Sequence, residues 1–293
     1  MKTGTIVLTS LILIGTLAEV RAGNELIGFD QVEKRLGSEG FRLLDVRPRG
    51  DYDKGHAPGA VWVDTKAAQA IAAKPGGFTD RVAWQAWVNS LGIGPGSEVL
   101  IFDGARQLES ARLWWMLSYL GLEKVGLING NFPLWAKQKR PISTEVSAVE
   151  PGKFSVNFRT DRLATRADVL SALKTGQAAI VDARSKPEYT GERKMSERGG
   201  HIPAACRIEW SDLVDPDGRF LEESALRTKL LELGLKPGEP VITHCQGGGR
   251  ASVDAFAIGR LGHPTRNFYV GWSDWGNATD TPVVEGAEPG KKD

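Results

Sequence analysis

Cys245 heads the run His-Cys-Gln-Gly-Gly-Gly-Arg at 244–250, the part of this 293-residue chain best equipped for chemistry. A thiol, the glycines Gly247, Gly248 and Gly249 and a closing Arg250 share one short loop, and an apolar stretch begins at Ala251. Upstream, Pro240-Val241-Ile242-Thr243 is a short β-branched run preceded by Lys236-Pro237-Gly238, so the order reads strand, loop, helix. Such an order aims backbone N–H groups and the positive end of a helix at one point, which favours an anion. Thiols beside helix N-termini and cations ionise more readily, so Cys245 is expected to work as a thiolate nucleophile. The competing explanation is a buried structural thiol. It does not account for three successive glycines, each costly in backbone entropy unless an unusual φ or a close ligand requires it.

The elements that must position this loop occur twice. Residues 41–52 (FRLLDVRPRGDY) match 178–189 (AAIVDARSKPEY) at an offset of 137, aligning Asp45 with Asp182, Arg47 with Arg184 and Tyr52 with Tyr189. Next, 55–60 (GHAPGA) match 200–205 (GHIPAA) at 145, and 91–104 match 233–246 at 142. The halves read as tandem domains. Each alternates short apolar runs (LLDV and VLIF; AIVD and PVITH) with helical stretches (VAWQAWVNSLG; ALRTKLLELG), the pattern of an α/β fold with a mainly parallel sheet and helices on both faces. Ligands of such sheets bind at the carboxyl ends of strands, where Cys245 falls. The expected organisation is a leader over 1–22, a first domain over 23–138, a polar linker over 139–160, a second domain over 161–280 and a mobile tail over 281–293.

Composition narrows the partners. Lys2, the apolar stretch Ile6–Leu17 and the small-residue site Val20-Arg21-Ala22 have the form of an export signal, predicting a periplasmic or secreted protein. That stretch is too short to span a bilayer, so no membrane attachment is expected once it is removed. Net charge is +1 and the cations are dispersed, which excludes nucleic acid and leaves small anions to a local pocket. Cys206 and Cys245 are the two cysteines; pairing them would consume the nucleophile, so Cys206 reads as a small buried thiol. The four histidines lie far apart and no Cys/His cluster has ligand spacing, so neither metal nor cofactor is expected.

Four residues separate Cys245 from Arg250, one fewer than in the phosphate loops of tyrosine phosphatases and related arsenate reductases. The tighter ring of amides suits a sulfur bonded to Cys245 better than a phosphoryl group. Cys245, Gly248 and Arg250 match the C-x-x-G-x-R loop of the rhodanese family, which the chain resembles over nearly its whole mature length. The Asp-x-Arg pair, Gly-His-x-Pro and a closing Gly-to-Trp segment (129–135 and 270–275) recur in order in both halves.

The resemblance implies two tandem rhodanese-like domains with the second catalytic, and Asp103 in the place aligned with Cys245 agrees, since a carboxylate cannot carry sulfane sulfur. It implies a sulfurtransferase moving sulfur from thiosulfate, a small anionic donor, to cyanide or a thiol through a persulfide on Cys245. Gln246, Gly247, Gly248, Gly249 and Arg250 would cradle that sulfur. Arg184 and Arg198, the latter in an eight-residue insertion within 190–200, are assigned to substrate binding, with Asp182 and His201 as structural support. An Asp182–Arg184 ion pair is the alternative to donor contact, because Asp45 and Arg47 repeat it where no chemistry is expected. Glu188 stands where mercaptopyruvate sulfurtransferases typically carry Arg, and it opposes a carboxylate-bearing donor. The alternatives are 3-mercaptopyruvate transfer, a non-enzymatic persulfide carrier and, further off, a Cys-dependent phosphatase or arsenate reductase.

Overall fold

The computed structural model describes residues 24–290, and the expected leader lies outside them. In the first domain β1 (Glu25–Ile27), β2 (Phe41–Asp45), β3 (Val61–Trp62), β4 (Glu98–Phe102) and β5 (Val125–Ile128) form one sheet, ordered β1-β5-β4-β2-β3 and parallel throughout. In the second, β6 (Ala179–Asp182), β7 (Cys206–Arg207), β8 (Val241–His244) and β9 (Thr265–Phe268) form a parallel sheet ordered β7-β6-β8-β9. A parallel bridge from Leu163 to Asn267 on β9 takes the place that β1 has beside β5. The central strands β4 and β8 are buried almost throughout, as expected of parallel strands covered on both faces.

Helices α1 (Phe29–Arg35), α2 (Arg49–Lys54), α3 (Thr65–Ala72), α4 (Arg81–Ser90), α5 (Leu108–Tyr119) and α6 (Phe132–Lys137) belong to the first domain. The second holds α7 (Arg166–Thr175), α8 (Lys186–Thr190), α9 (Glu223–Glu232), α10 (Gly249–Arg260) and α11 (Gly271–Trp275). Both helices that follow a central strand, α5 and α10, are buried along most of their length because each packs on its own sheet and on the other. Trp114 meets Phe256 edge to face there, ring centres 5.0 Å apart. Polar groups fix the seam as well: Gln107 donates to the carbonyl of Gly218 at 2.7 Å and Asn131 to that of Pro216 at 2.9 Å.

The segment 139–160 is strapped along the first domain, with the N–H of Gly152 on Asn89 and that of Asn157 on Leu120. The C-terminal segment is likewise held, and this corrects the expected mobile tail. Val284 exchanges backbone hydrogen bonds with His201, and Gly286 donates to Thr190. The physical reason is repetition: Ser143 exchanges the same pair with His56, so each Gly-His-x-Pro turn binds the segment that follows its own domain.

Candidate active site

Strand β8 delivers Cys245 to the middle of the second sheet's carboxyl edge, with His244 in register with Asp182 on one side and Phe268 on the other. Behind the cysteine the chain turns at Gly248, whose φ of +80° an L side chain rarely adopts, and a Cβ there would strike the Tyr269 ring at 2.3 Å. A Cβ on Gly249 would meet the Arg112 guanidinium at 2.2 Å, so that glycine makes room for a side chain of the first domain. Gly247 has neither constraint. Among the described residues, no hydrogen bond within the chain takes the N–H groups of Gln246, Gly247, Gly248, Arg250 or Ala251. They remain as donors for an anion at the mouth of α10.

The thiol they surround is 2% exposed and packs against Ala183 and Ala251, with Trp210 alongside. Gln246, Gly247 and Arg250 are the loop members that keep contact with solvent. Gln246 is held from outside by the insertion, its side-chain amide donating to the carbonyl of Met195 at 3.0 Å and to Ser196 Oγ at 3.2 Å.

Arg250 does not reach out as a free cation. Its fork grips both oxygens of Glu188 at 2.7 and 2.8 Å. Glu188 also accepts from the N–H and hydroxyl of Ser185, completing the capping box of α8. Burial alone would raise its pKa; the hydrogen bonds from Arg250 and Ser185 outweigh that and hold the carboxyl at about 2. The sequence therefore identified Glu188 as a departure but not its role: its charge is cancelled by Arg250 and does not stand free against a donor.

Arg184 and Arg198, expected to bind substrate, are placed elsewhere. Arg184 is fully buried, forks onto Asp182, donates to the carbonyl of Gly200 at 2.8 Å and lies over the Trp272 ring at 4.3 Å. Arg47, Asp45, Gly55 and Phe132 repeat the cluster in the first domain, which marks it as loop architecture. Arg198 donates to the carbonyls of Trp275 and Thr281, pinning the C-terminal segment and leaving its fork filled. Both assignments to substrate are corrected on these contacts. Asp182 is held down to about 2; burial opposes this, and the neighbouring His244 and Arg184 prevail. His201 stacks on Tyr189 and its ring nitrogens meet the carbonyls of Tyr189 and Glu288 at 2.9 and 3.1 Å, a supporting role. Cys206 is half-buried and free, its thiol donating to the carbonyl of Ile180; burial pushes it up to about 12.

Sequence reasoning missed Arg112. From α5 it crosses the seam to the carbonyl of Gly247 at 3.3 Å and to Tyr269 Oη at 3.1 Å. Burial works against its charge, but Tyr269, Glu109 and Cys245 together outweigh this, so the guanidinium stays firmly cationic beside the thiol. The available clue was a charged residue where the α10 register of the repeat carries Val253.

In the first domain the corresponding ring is closed. Asp103, at the end of β4, accepts from the N–H groups of Ala105, Glu109 and Ser110 at 2.6, 3.1 and 3.1 Å. The loop before α5 is one residue longer, and Gln107 takes the left-handed position at φ 63° that Gly248 takes in the second.

Fold and loop together define a tandem α/β protein with one thiol-bearing amide ring and one ring filled by its own carboxylate. The rhodanese-like domain family matches residues 29–138 and 165–278, and the chain belongs to that family. It is 32% identical over 254 residues to a thiosulfate sulfurtransferase of Azotobacter vinelandii, covering 86% of this chain and 94% of that one. It is 31% identical over 282 residues to the sulfur carrier protein TtuD of Thermus thermophilus, covering 90% and 97%. The crystal structure of SseA from Escherichia coli, described among 3-mercaptopyruvate sulfotransferases, superposes with a TM-score of 0.72 at 25% identity, over 85% of this chain and 98% of that one. Sulfur transfer is thus the family's chemistry, and the donor varies among relatives.

Proposed function

We propose that the protein moves sulfane sulfur from thiosulfate to a thiophilic acceptor, cyanide or a thiol, by double displacement on Cys245. The thiolate attacks the outer sulfur, the S–S bond of thiosulfate breaks with its electron pair leaving on sulfite, and a persulfide remains on Cys245. The acceptor then attacks the outer sulfur of that persulfide and the thiolate returns. The observation that carries the reading is the division of labour at the loop: Arg250 is filled by Glu188, while five amides have no partner among the described residues. A carboxylate donor gains most from a bidentate arginine, and the loop's arginine is taken. A compact sulfur oxyanion is served instead by amide donors, with Arg112 adding charge from across the seam. Donor entry falls at Gln246, Gly247 and Arg250, and burial of the thiol keeps water from the persulfide.

Intact mass after thiosulfate treatment tests this directly. A gain of one sulfur atom in the wild type, absent from Cys245→Ser, is expected; loading that survives in Cys245→Ser sinks the scheme. The second reading, a persulfide carrier, is favoured by the depth of the thiol and by the likeness to the sulfur carrier protein. It predicts loading without multiple turnovers on cyanide, so a steady-state thiocyanate assay separates the two. We further propose export to the periplasm or medium from residues 1–22; an N-terminus of the secreted protein near Gly23 is the check.

A further inference from the structure

Four aspartates are fully or almost fully buried among the described residues, and three of them are bonded: Asp45 and Asp182 to their arginines, Asp103 to three amides. Asp254 is the exception. It lies on α10 one turn beyond Arg250, and neither of its carboxyl oxygens has a hydrogen-bond partner. A buried carboxyl without partners is costly enough that a protein keeps one only for a reason.

Its surroundings are the catalytic loop and its supports. Ala251, three residues before it on α10, packs against Cys245 at the end of β8, and Cys245, Asp182 on β6, Cys206 on β7, Asp212 in the turn at 210–212 and Arg250 on α10 are near enough for the charges to be felt. Burial first, then the charge of Cys245, push this carboxyl well above the usual range, with Arg250 opposing. It therefore carries a proton under conditions where ordinary aspartates are ionised. The first domain supplies the control. In the register that pairs the starts of α5 and α10, Leu113 occupies the corresponding place, fully buried, beside a ring that holds no thiol. The scaffold does not require a carboxyl there; the domain with the cysteine has one.

We propose that Asp254 is a positioning residue for the charge on Cys245. The two sites share one negative charge, so the proton on Asp254 permits the thiolate, and loss of that proton repels any anionic reagent from the loop. Where this extends to thiosulfate it rests on the sulfur-transfer reading above. Attack on thiosulfate forms one S–S bond and breaks another with the electron pair leaving on sulfite, so the cysteine's charge is conserved as thiolate becomes persulfide. Asp254 keeps its proton throughout and neither gives nor takes one.

The test compares two alkylating reagents on Cys245 from mildly acidic to alkaline pH, in a Cys206→Ser background so that one thiol reacts, with intact mass as readout. The rate of anionic iodoacetate relative to that of neutral iodoacetamide should fall by roughly tenfold across the pH range in which Asp254 ionises. Asp254→Asn, and Asp254→Leu as the residue type the first domain uses, should both abolish that fall in the ratio. Persistence of the fall in either folded variant, or its absence from the parent, overturns the proposal. KM for thiosulfate followed over the same pH range should rise where that ratio falls, and stay flat in both variants. If thiosulfate adds no sulfur to any of these proteins, the sulfur-transfer reading fails, and the alkylation profiles still decide the role of Asp254.

Discussion

At the end of β4 a ring of backbone amides closes on Asp103, while at the end of β8 the matching ring surrounds Cys245 and finds no acceptor among the described residues. Strand, left-handed turn and helix N-terminus are common to both loops. Anion binding is therefore a property of the backbone, and the residue at the head of the loop decides whether the anion is built in or brought in. The first domain fills its ring with Asp103, which takes the N–H groups of Ala105, Glu109 and Ser110, and serves as a wall. From that wall α5 sends Arg112 to the second loop, so the domain without a thiol still adds charge to the one that has it.

The sharpest way to break the comparison is to convert one loop into the other. Cys245→Asp should place a carboxylate inside its own ring as Asp103 does, leaving a folded protein whose sulfur transfer falls by at least about a thousandfold, read by steady-state kinetics beside circular dichroism. Measurable turnover in that variant would mean that the chemistry resides elsewhere.

The strand position before each head residue differs as well: Phe102 in the first domain, His244 in the second. Burial lowers the His244 imidazole from an ordinary value near 6.5 to about 4, although Asp182 lies 3.5 Å from Nε2. Between these values the unfolded chain takes up a proton that the folded protein refuses. Stability is therefore complete above the unfolded pKa and declines as pH falls toward the folded one, by about 3 kcal/mol at most for such a difference. His244→Phe should flatten that part of the curve of melting temperature against pH. An unchanged acid limb would assign it to other groups.

Local signals and distant ones had different fates in the sequence. Cys245, Gly248 and Arg250 fall within six residues and the repeat aligns whole elements, so the parallel sheets, the tandem organisation and the place of the thiol were legible from spacing and periodicity alone. Arg184 was legible as a loop ion pair because Arg47 repeats it, and of the two roles open to it in the sequence the structure shows the ion pair. What could not be read was pairing across the fold. Arg112 meets Gly247 at a separation of 135 positions and Arg250 meets Glu188 at 62, and no periodicity encodes such contacts. Arg198 failed for a related reason: composition places a cation in the insertion but does not reveal which carbonyls it will find.

Arg112→Met keeps much of the buried stem while removing the charge that the first domain lends the second. KM for thiosulfate should rise by roughly tenfold with a smaller change in kcat, the cost of one partly screened cation near an anion. Kinetics indistinguishable from wild type would confine the first domain to a structural part. Arg112→Lys restores charge without the fork, so partial rescue distinguishes a need for charge from a need for the hydrogen bond to Gly247.

The smallest expected effect tests the division between Arg250 and the amides. Glu188→Gln leaves the α8 cap partly intact, since the amide oxygen still accepts, but it removes the negative partner from Arg250. The loop should then carry an uncompensated cation, and a carboxylate-bearing donor such as 3-mercaptopyruvate should gain relative to thiosulfate by about fivefold in kcat/KM, a little under 1 kcal/mol of discrimination. Because the Glu188 carboxyl is held at about 2, the pair stays intact at any pH where the protein works, so this preference should not be reproduced by mild acidification of the wild type. Equal gains for both donors would show that Glu188 sets only the overall charge of the loop, and that donor choice is made by the amides and Arg112.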